Sequence, residues 1–163
     1  MTAQPDDQFD ALELIRRRLA DDLHLAVAIT TADGRPDPQV SVVNVGVLDH
    51  PVSGTSVLAL VARRGVKLRN LRRHPRLTLV VRAGWEWVAA VGDVELVGPD
   101  DPHPHVGDEA RRQLLRDIFH AAGGNHHDLD TYDRVMADER RCAVLVTPDR
   151  IWTNPHGSDH QAP

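Results

Sequence analysis

Apolar and polar positions divide this chain into short elements with frequent stops. Phe9, Leu12, Ile15, Leu19 and Leu23 recur at helical spacing and predict an amphipathic helix over 9–23. Leu25–Thr31 is an apolar, β-branched run that the turn Ala32-Asp33-Gly34-Arg35 stops. Gln39–Leu48 predicts a second strand, alternating at its start, and Asp49–Thr55 the turn after it. Ser56–Ala62 reads as a third strand, and Val66–Arg73 as a short basic helix that Pro75 ends. Leu77–Arg82 and Trp85–Val97 follow as strands, with Ala83-Gly84 turning between them and Gly98-Pro99 stopping the second. Asp100–Gly107 is a Pro/His loop, expected to be the most flexible stretch. Glu109–Ala122 and Leu129–Arg140 read as helices split by Gly123-Gly124-Asn125, and Cys142–Val146 with Ile151–Thr153 as a closing hairpin around Pro148-Asp149. Residues 1–7 and 155–163 are expected to be flexible ends around one domain over 8–154.

Strands at hairpin-length hops, with too little helix for parallel crossovers, predict a mainly β (α+β) fold. The expected form is a closed barrel with helices on its outside, which removes the edges a small sheet would expose.

A length of 163 residues fits one compact domain, and 41% hydrophobic with 26% charged residues places it among globular chains. No apolar run approaches the roughly 20 residues of a membrane span. Met1–Asp10 is acidic and polar without an apolar core, so no secretory signal is expected and the cytoplasm is the expected compartment. Cys142 is the only cysteine, which excludes an intrachain disulfide and an all-thiolate metal site.

The distribution of charge adds more than its net value of −5. From His50 to Trp85 there is no acid, yet eight of the 19 bases fall there, leaving 11 bases against 24 acids elsewhere. Positive charge concentrated in one segment of an acidic protein points to a local anionic ligand. The segment lacks interleaved aromatics, so a nucleic-acid partner is not expected. At its centre, Leu58–Ala62 runs through Arg63-Arg64-Gly65 into the helix carrying Lys67, the chain's single lysine. Free N–H groups and the helix dipole favour an anion there, and Arg64 and Lys67, three apart, can close on one phosphate. A solvated basic surface helix is the competing reading.

Val66-Lys67-Leu68-Arg69-Asn70-Leu71-Arg72-Arg73-His74-Pro75, with Asp33-Gly34-Arg35-Pro36 and Gln39-Val40-Ser41 upstream, resembles the flavin/deazaflavin-binding split β-barrel proteins. These are the pyridoxamine-5′-phosphate-oxidase-like proteins, and the resemblance is strongest to their deazaflavin-dependent branch. A second block, Ala121–His126, Tyr132–Met136 and Arg140-Arg141, running into Val144–Pro148 and Ile151-Trp152, carries the same resemblance. It covers His24–Asn154 and implies a six-stranded split barrel, a homodimer, and two cofactor sites at the dimer interface.

Residue by residue, the resemblance implies that Lys67 contacts the cofactor phosphate and that Ser41 and Val42 lie along the ring. Leu60, Val61 and Ala62 would offer backbone to ring and ribityl chain, and Trp85 and Trp87 would reach the ring of the second subunit. Asn70 belongs to the motif, at the cofactor or as a brace of the helix. The family often has arginine two residues before the lysine; here Gly65 stands there, with Arg63 or Arg64 as substitutes. The implied activity is hydride transfer to a small organic substrate with coenzyme F420, with FMN as the alternative cofactor. Arg69, Arg72 and Arg73 are expected to line a groove for the oligoglutamate tail of F420, joined by Arg140 or Arg141. A non-catalytic protein that stores a cofactor or binds haem is a further reading.

Other chemistry is weaker. Trp85 and Trp87, two apart, would share one strand face and stack on a planar ring, or form a core or interface pair. His103, His105, His120, His126 and His127 lack the spacing of a metal site, and none is expected. Cys142 opens an apolar strand and reads as a buried small hydrophobe. Ser41 has no nucleophile elbow, and no dinucleotide or Walker motif is present.

Overall fold

The computed structural model describes residues 5–154, with side chains from residue 11 onward. Residues 1–4 and 155–163, within the ends expected to be flexible, lie outside the described residues. Helix α1 (Pro5–Asp21) starts ahead of the apolar repeat at Phe9. The strands are β1 (Leu25–Thr30), β2 (Gln39–Asn44), β3 (Gly46–Asp49), β4 (Ser56–Ala62), β5 (Arg76–Ala83), β6 (Glu86–Val97) and β7 (Cys142–Thr153). Helix α2 (Val66–Arg73) joins β4 to β5, and α3 (Asp108–Ala121) and α4 (Leu129–Asp138) stand between β6 and β7. The strands form one antiparallel sheet in the order β2-β1-β5-β6-β7-β4-β3.

The outermost strands of that order, β2 and β3, are separated in the chain by Val45 alone. The single strand predicted over 39–48 is therefore broken at a corner, and the barrel has seven strands rather than six. β2 pairs with β1 and β3 with β4, so the sheet curls until its ends meet through one covalent corner. The fold is a mainly β split barrel. Val45 is fully buried and donates its N–H to the His24 carbonyl at 2.8 Å, which fixes the corner. Gly46 beside it has no room for a side chain, since a Cβ would lie 2.6 Å from the Ala121 carbonyl carbon of α3.

A second correction concerns the closing hairpin. β7 is one continuous strand of 12 residues, pairing with β6 along its length. The register shifts between Val91, opposite Arg150, and Gly92, opposite Pro148, so Asp149 is a bulge rather than a turn.

Inward side chains of the strands make one core with Ile15 and Leu19 of α1 and Leu68 and Leu71 of α2. On the opposite face of β4 and β7, Val57, Ala59, Ala143 and Leu145 pack under Leu114, Leu115 and Ile118 of α3. Burial on both faces explains why β4 and the start of β7 are unbroken apolar runs, whereas β2 alternates. The Asp100–Gly107 stretch is held by two bridges, Gly98 to Asp101 and His103 to Val106. Among the described residues no helix is long and apolar enough to cross a membrane.

Candidate functional site

The corner at Val45 creates a gap. β4 runs past Ala59, its last partner toward β3, so Leu60, Val61 and Ala62 pair only with β7. β2 turns away to pair with β1 and is the sheet's outer strand. Two strand edges without a neighbour thus face a groove of about 730 Å³. Its lining includes Ser41, Val42 and Val43 of β2, Val61 and Ala62 of β4, the Arg63–Lys67 turn and Arg141. Such edges present rows of backbone donors and acceptors, which suit a planar heterocycle with polar edges.

Helix α2 starts at Val66 with Gly65 as its cap residue, and no side chain caps its first N–H groups. Those groups and Lys67 sit at one end of the groove. Lys67 is half-buried, has no acid or hydrogen-bond partner among the described residues, and burial lowers its pKa from the ordinary 10.5. A desolvated, uncompensated ammonium is unfavourable in the empty protein and favours an anion beside it. Ser41 adds a second unsatisfied group, a hydroxyl oxygen buried on the groove with no hydrogen-bond partner among the described residues. Arg63 is exposed on the rim, and Arg64 reaches Asp100 only at 3.9 Å.

The opposite wall is apolar and comes from α3 and α4 through Phe119, Tyr132 and Met136. Phe119 and Tyr132 rings pack 4.8 Å apart, and the Tyr132 hydroxyl donates to the Leu115 carbonyl at 3.0 Å. Burial pushes the Tyr132 hydroxyl up to about 12, so it stays protonated at neutral pH. A bidentate pair, with Arg116 Nε 2.9 Å from Asp133 Oδ1, ties the two helices together behind that wall.

The groove brings together Ser41, Val42, Val61, Ala62, Arg63, Arg64, Lys67 and Arg141. Leu60 points into the core and can offer only backbone. Asn70 is a brace: its Nδ2 donates to Thr30 Oγ1 at 3.0 Å, and that hydroxyl donates to Gln39 Oε1 at 3.1 Å. This chain of bonds fixes α2 against β1 and β2. Replacing Asn70 by Ala should cost about 1–3 kcal/mol, since Thr30 loses a buried partner; a urea midpoint unchanged from wild type would show the brace to be idle.

Trp85 lies off the groove, 95% exposed in the turn before β6 rather than on the strand. Trp87 is on β6, half-buried, with its backbone N–H on Asn154 Oδ1 at 3.2 Å. Arg140 is turned away to Asp100, with Nε 3.2 Å from Oδ1, and holds that carboxyl below its usual range. Arg72 is likewise taken by Asp101, through bonds of 2.7 and 2.8 Å. Cys142 is buried and its thiol is pushed up to about 12 by that burial, so it is no nucleophile. The α3–α4 wall was marked in the sequence only by its block of motif residues, since helical spacing alone reads Tyr132 and Met136 as core.

No protein-family profile matches the chain. Solved structures do resemble it. A pyridoxamine 5′-phosphate oxidase-related, FMN-binding protein of Nostoc punctiforme is 16% identical, over 93% of this chain and 84% of that one, with a TM-score of 0.58. A conserved hypothetical protein of Mycobacterium tuberculosis is 17% identical, over 93% and 92%, at 0.60. A protein of unknown function from Agrobacterium tumefaciens is 15% identical at 0.55, and this chain spans 57% of its length. At these identities the likeness is one of fold.

Proposed function

We propose that the groove between β2 and β4 holds a phosphorylated tricyclic ring cofactor and that the protein is an oxidoreductase of the pyridoxamine-5′-phosphate-oxidase-like class. The favoured cofactor is the deazaflavin F420, with FMN as the alternative on the same barrel. The observation that carries this is the half-buried Lys67, without a partner among the described residues, at the end of a gap between two open strand edges. When bound, the cofactor supplies the hydride chemistry. The chain's own residues bind and shield: Lys67, Arg63 and the free N–H groups of α2 hold the phosphate, and the edges of β2 and β4 take the ring. Ser41 gives its orphaned hydroxyl to a ring heteroatom, while Phe119, Tyr132 and Met136 exclude water from one side. No side chain is assigned as a general acid, and the substrate is a small organic molecule.

Titration of apoprotein with F420 and FMN in parallel, followed by absorbance, tests the reading. Saturable binding of F420, tighter than FMN, is the expected result. Tighter binding of FMN transfers the assignment to the alternative. Binding of neither, or of haem in preference, overturns the reading.

A second copy of the chain is proposed as the partner. Val42, Val27, Val80, Ala89 and Trp152 lie opposite one another on neighbouring strands, so they form one apolar row across five strands. Val42 is 65% exposed and Trp152 36%, and helix α1 packs on the other, inward side of these strands. Ala89 within the row is 2% exposed, so the apolar surface it presents is at its ends, Val42 and Trp152, which a second copy would cover. Sedimentation at micromolar concentration should find a dimer, and Val42→Glu should give a monomer; a wild-type monomer would refute the proposal.

A further inference from the structure

The two sides of the groove between β2 and β4 differ in charge. Its cations Arg63, Arg64 and Lys67 all come from the turn that opens α2. The α3–α4 wall brings Ile118, Phe119, Ala122, Tyr132 and Met136, and no charge. The Tyr132 hydroxyl is committed to the Leu115 carbonyl. Arg141, the one charged lining residue beyond the α2 turn, is held by Glu139, with Nε and Nη2 at 2.6 and 2.5 Å from Oε2. Phe119 and Met136 remain half-buried on this wall. A phenyl ring and a polarisable thioether side by side suit an apolar, conjugated partner.

The wall is also fixed relative to β2. Gly124 packs on the Phe119 ring, where a Cβ would lie 2.4 Å from Cε2. Gly123 packs on the His24 imidazole, where a Cβ would lie 2.5 Å from Cδ2. Leu23 and His24 in turn hold the end of β2. Val45 donates its N–H to the His24 carbonyl at 2.8 Å, and Asn44 Nδ2 donates to the Leu23 carbonyl at 3.1 Å. Both residues have positive φ, 54° and 58°, a left-handed backbone that side chains other than glycine adopt only at a cost. One strained corner thus grips both sides of the groove, and the Arg116–Asp133 pair keeps α4 on α3 behind it. The result is a slot of set width rather than a pliable cleft.

We propose that the α3–α4 wall is the substrate seat and that it takes an uncharged, planar, apolar molecule such as an aryl or conjugated ketone. The seat needs only the wall. That its occupant is a substrate rests on the cofactor reading, which lays the ring along the β2 and β4 edges across from it. A carboxylate or phosphate on this wall would lose its hydration and meet no free cation in return. A puckered molecule would need the wall to move, and the backbone of Gly123 and Gly124 against His24 and Phe119 opposes that.

The probe is 2-acetylnaphthalene, titrated into the whole apoprotein labelled with [methyl-¹³C]methionine. The chain has two methionines, Met1 and Met136, so the wall reports through a single methyl signal. A saturable shift of the Met136 methyl is expected, insensitive to salt because no charge takes part. The decahydro analogue, equally uncharged but not planar, should bind at least about tenfold more weakly, a modest factor for a shape mismatch in an apolar pocket. Gly124→Ala, which displaces the Phe119 ring, should weaken 2-acetylnaphthalene by a similar factor. Met136→Gln, followed by equilibrium dialysis, should do the same without touching that packing. An unmoved methyl signal, equal binding of the decahydro analogue, or wild-type affinity in both variants would overturn the proposal. Addition of F420 or FMN to the probe-loaded protein completes the test. Simultaneous binding supports a seat beside the ring, whereas displacement of the probe would give the wall to the ring itself and overturn the proposal. If the probe binds and neither cofactor does, the cofactor reading fails and the apolar seat stands.

Discussion

Lys67→Ala should weaken cofactor binding by about 10- to 150-fold, the equivalent of about 1.5–3 kcal/mol for a lost hydrogen bond to a charged group. The apoprotein should not suffer, because Lys67 has no partner among the described residues to leave exposed. Its melting temperature should match or exceed wild type, since a desolvated charge is removed. The pH dependence separates this from a general electrostatic effect. Burial lowers the Lys67 pKa in the empty protein, so the cationic form that binds phosphate is lost at lower pH than for an ordinary lysine. Affinity should hold through neutral pH and fall as that depressed value is passed, whereas Lys67→Arg should hold further into the alkaline range. The linkage sign is opposite for the empty protein. Between the depressed value and 10.5 the unfolded chain binds more protons, so apoprotein stability from this group rises with pH across that window. Wild-type affinity in Lys67→Ala would place this lysine on an ordinary solvated helix face and remove the anchor of the site.

Helix α2 was legible to the residue, because Gly65 and Pro75 punctuate it and its basic face contrasts with Leu68 and Leu71. The corner at Val45 was not, because both halves of 39–48 are extended and apolar and the partner switch takes one residue. No turn chemistry announces it, and what fixes it is distant: the His24 carbonyl and the Ala121 backbone against Gly46. That corner opens the groove, so residues were readable as candidates while the cavity joining them was not. Ser41, Val61, Ala62 and Lys67 came from contiguous motifs and fall together. Period-2 spacing puts Trp85 on a strand, yet Gly84, at φ 61°, turns the chain and leaves it in solvent. Spacing alone groups the three α2 arginines, and a forked bond to Asp101 draws one of them away. Spacing shows which side chains can meet; the acids that compete for them arrive from loops elsewhere in the chain.

Gly92→Val should be the most damaging single change outside the site, costing about 3 kcal/mol or more in unfolding free energy. Pro148-Asp149 reads as a turn because proline is rare inside strands, but proline at a bulge opposite a glycine is compatible with continuous pairing. At Gly92 a Cβ would lie 2.0 Å from the Thr147 carbonyl oxygen and 2.6 Å from Pro148 Cα. Both are backbone, so no rotamer change relieves the clash and β7 itself has to move. The bulge is held from outside as well: Arg76 reaches Asp149 at 2.5 Å and Asp93 at 2.7 Å, bridging β6 and β7 on either side of the register shift. Displacing β7 there disturbs the pairing that carries Val144 and Val146 into the core, and with it the β4 edge on which the groove depends. The matched control is Gly65→Ala, whose Cβ would meet nothing within 4 Å on extended backbone. In urea, Gly92→Val should shift the midpoint far below wild type while Gly65→Ala stays near it, both with unchanged slopes. A Gly92→Val midpoint level with Gly65→Ala would mean that β6 and β7 separate at the bulge at little cost, and that the long strand is two weakly joined halves.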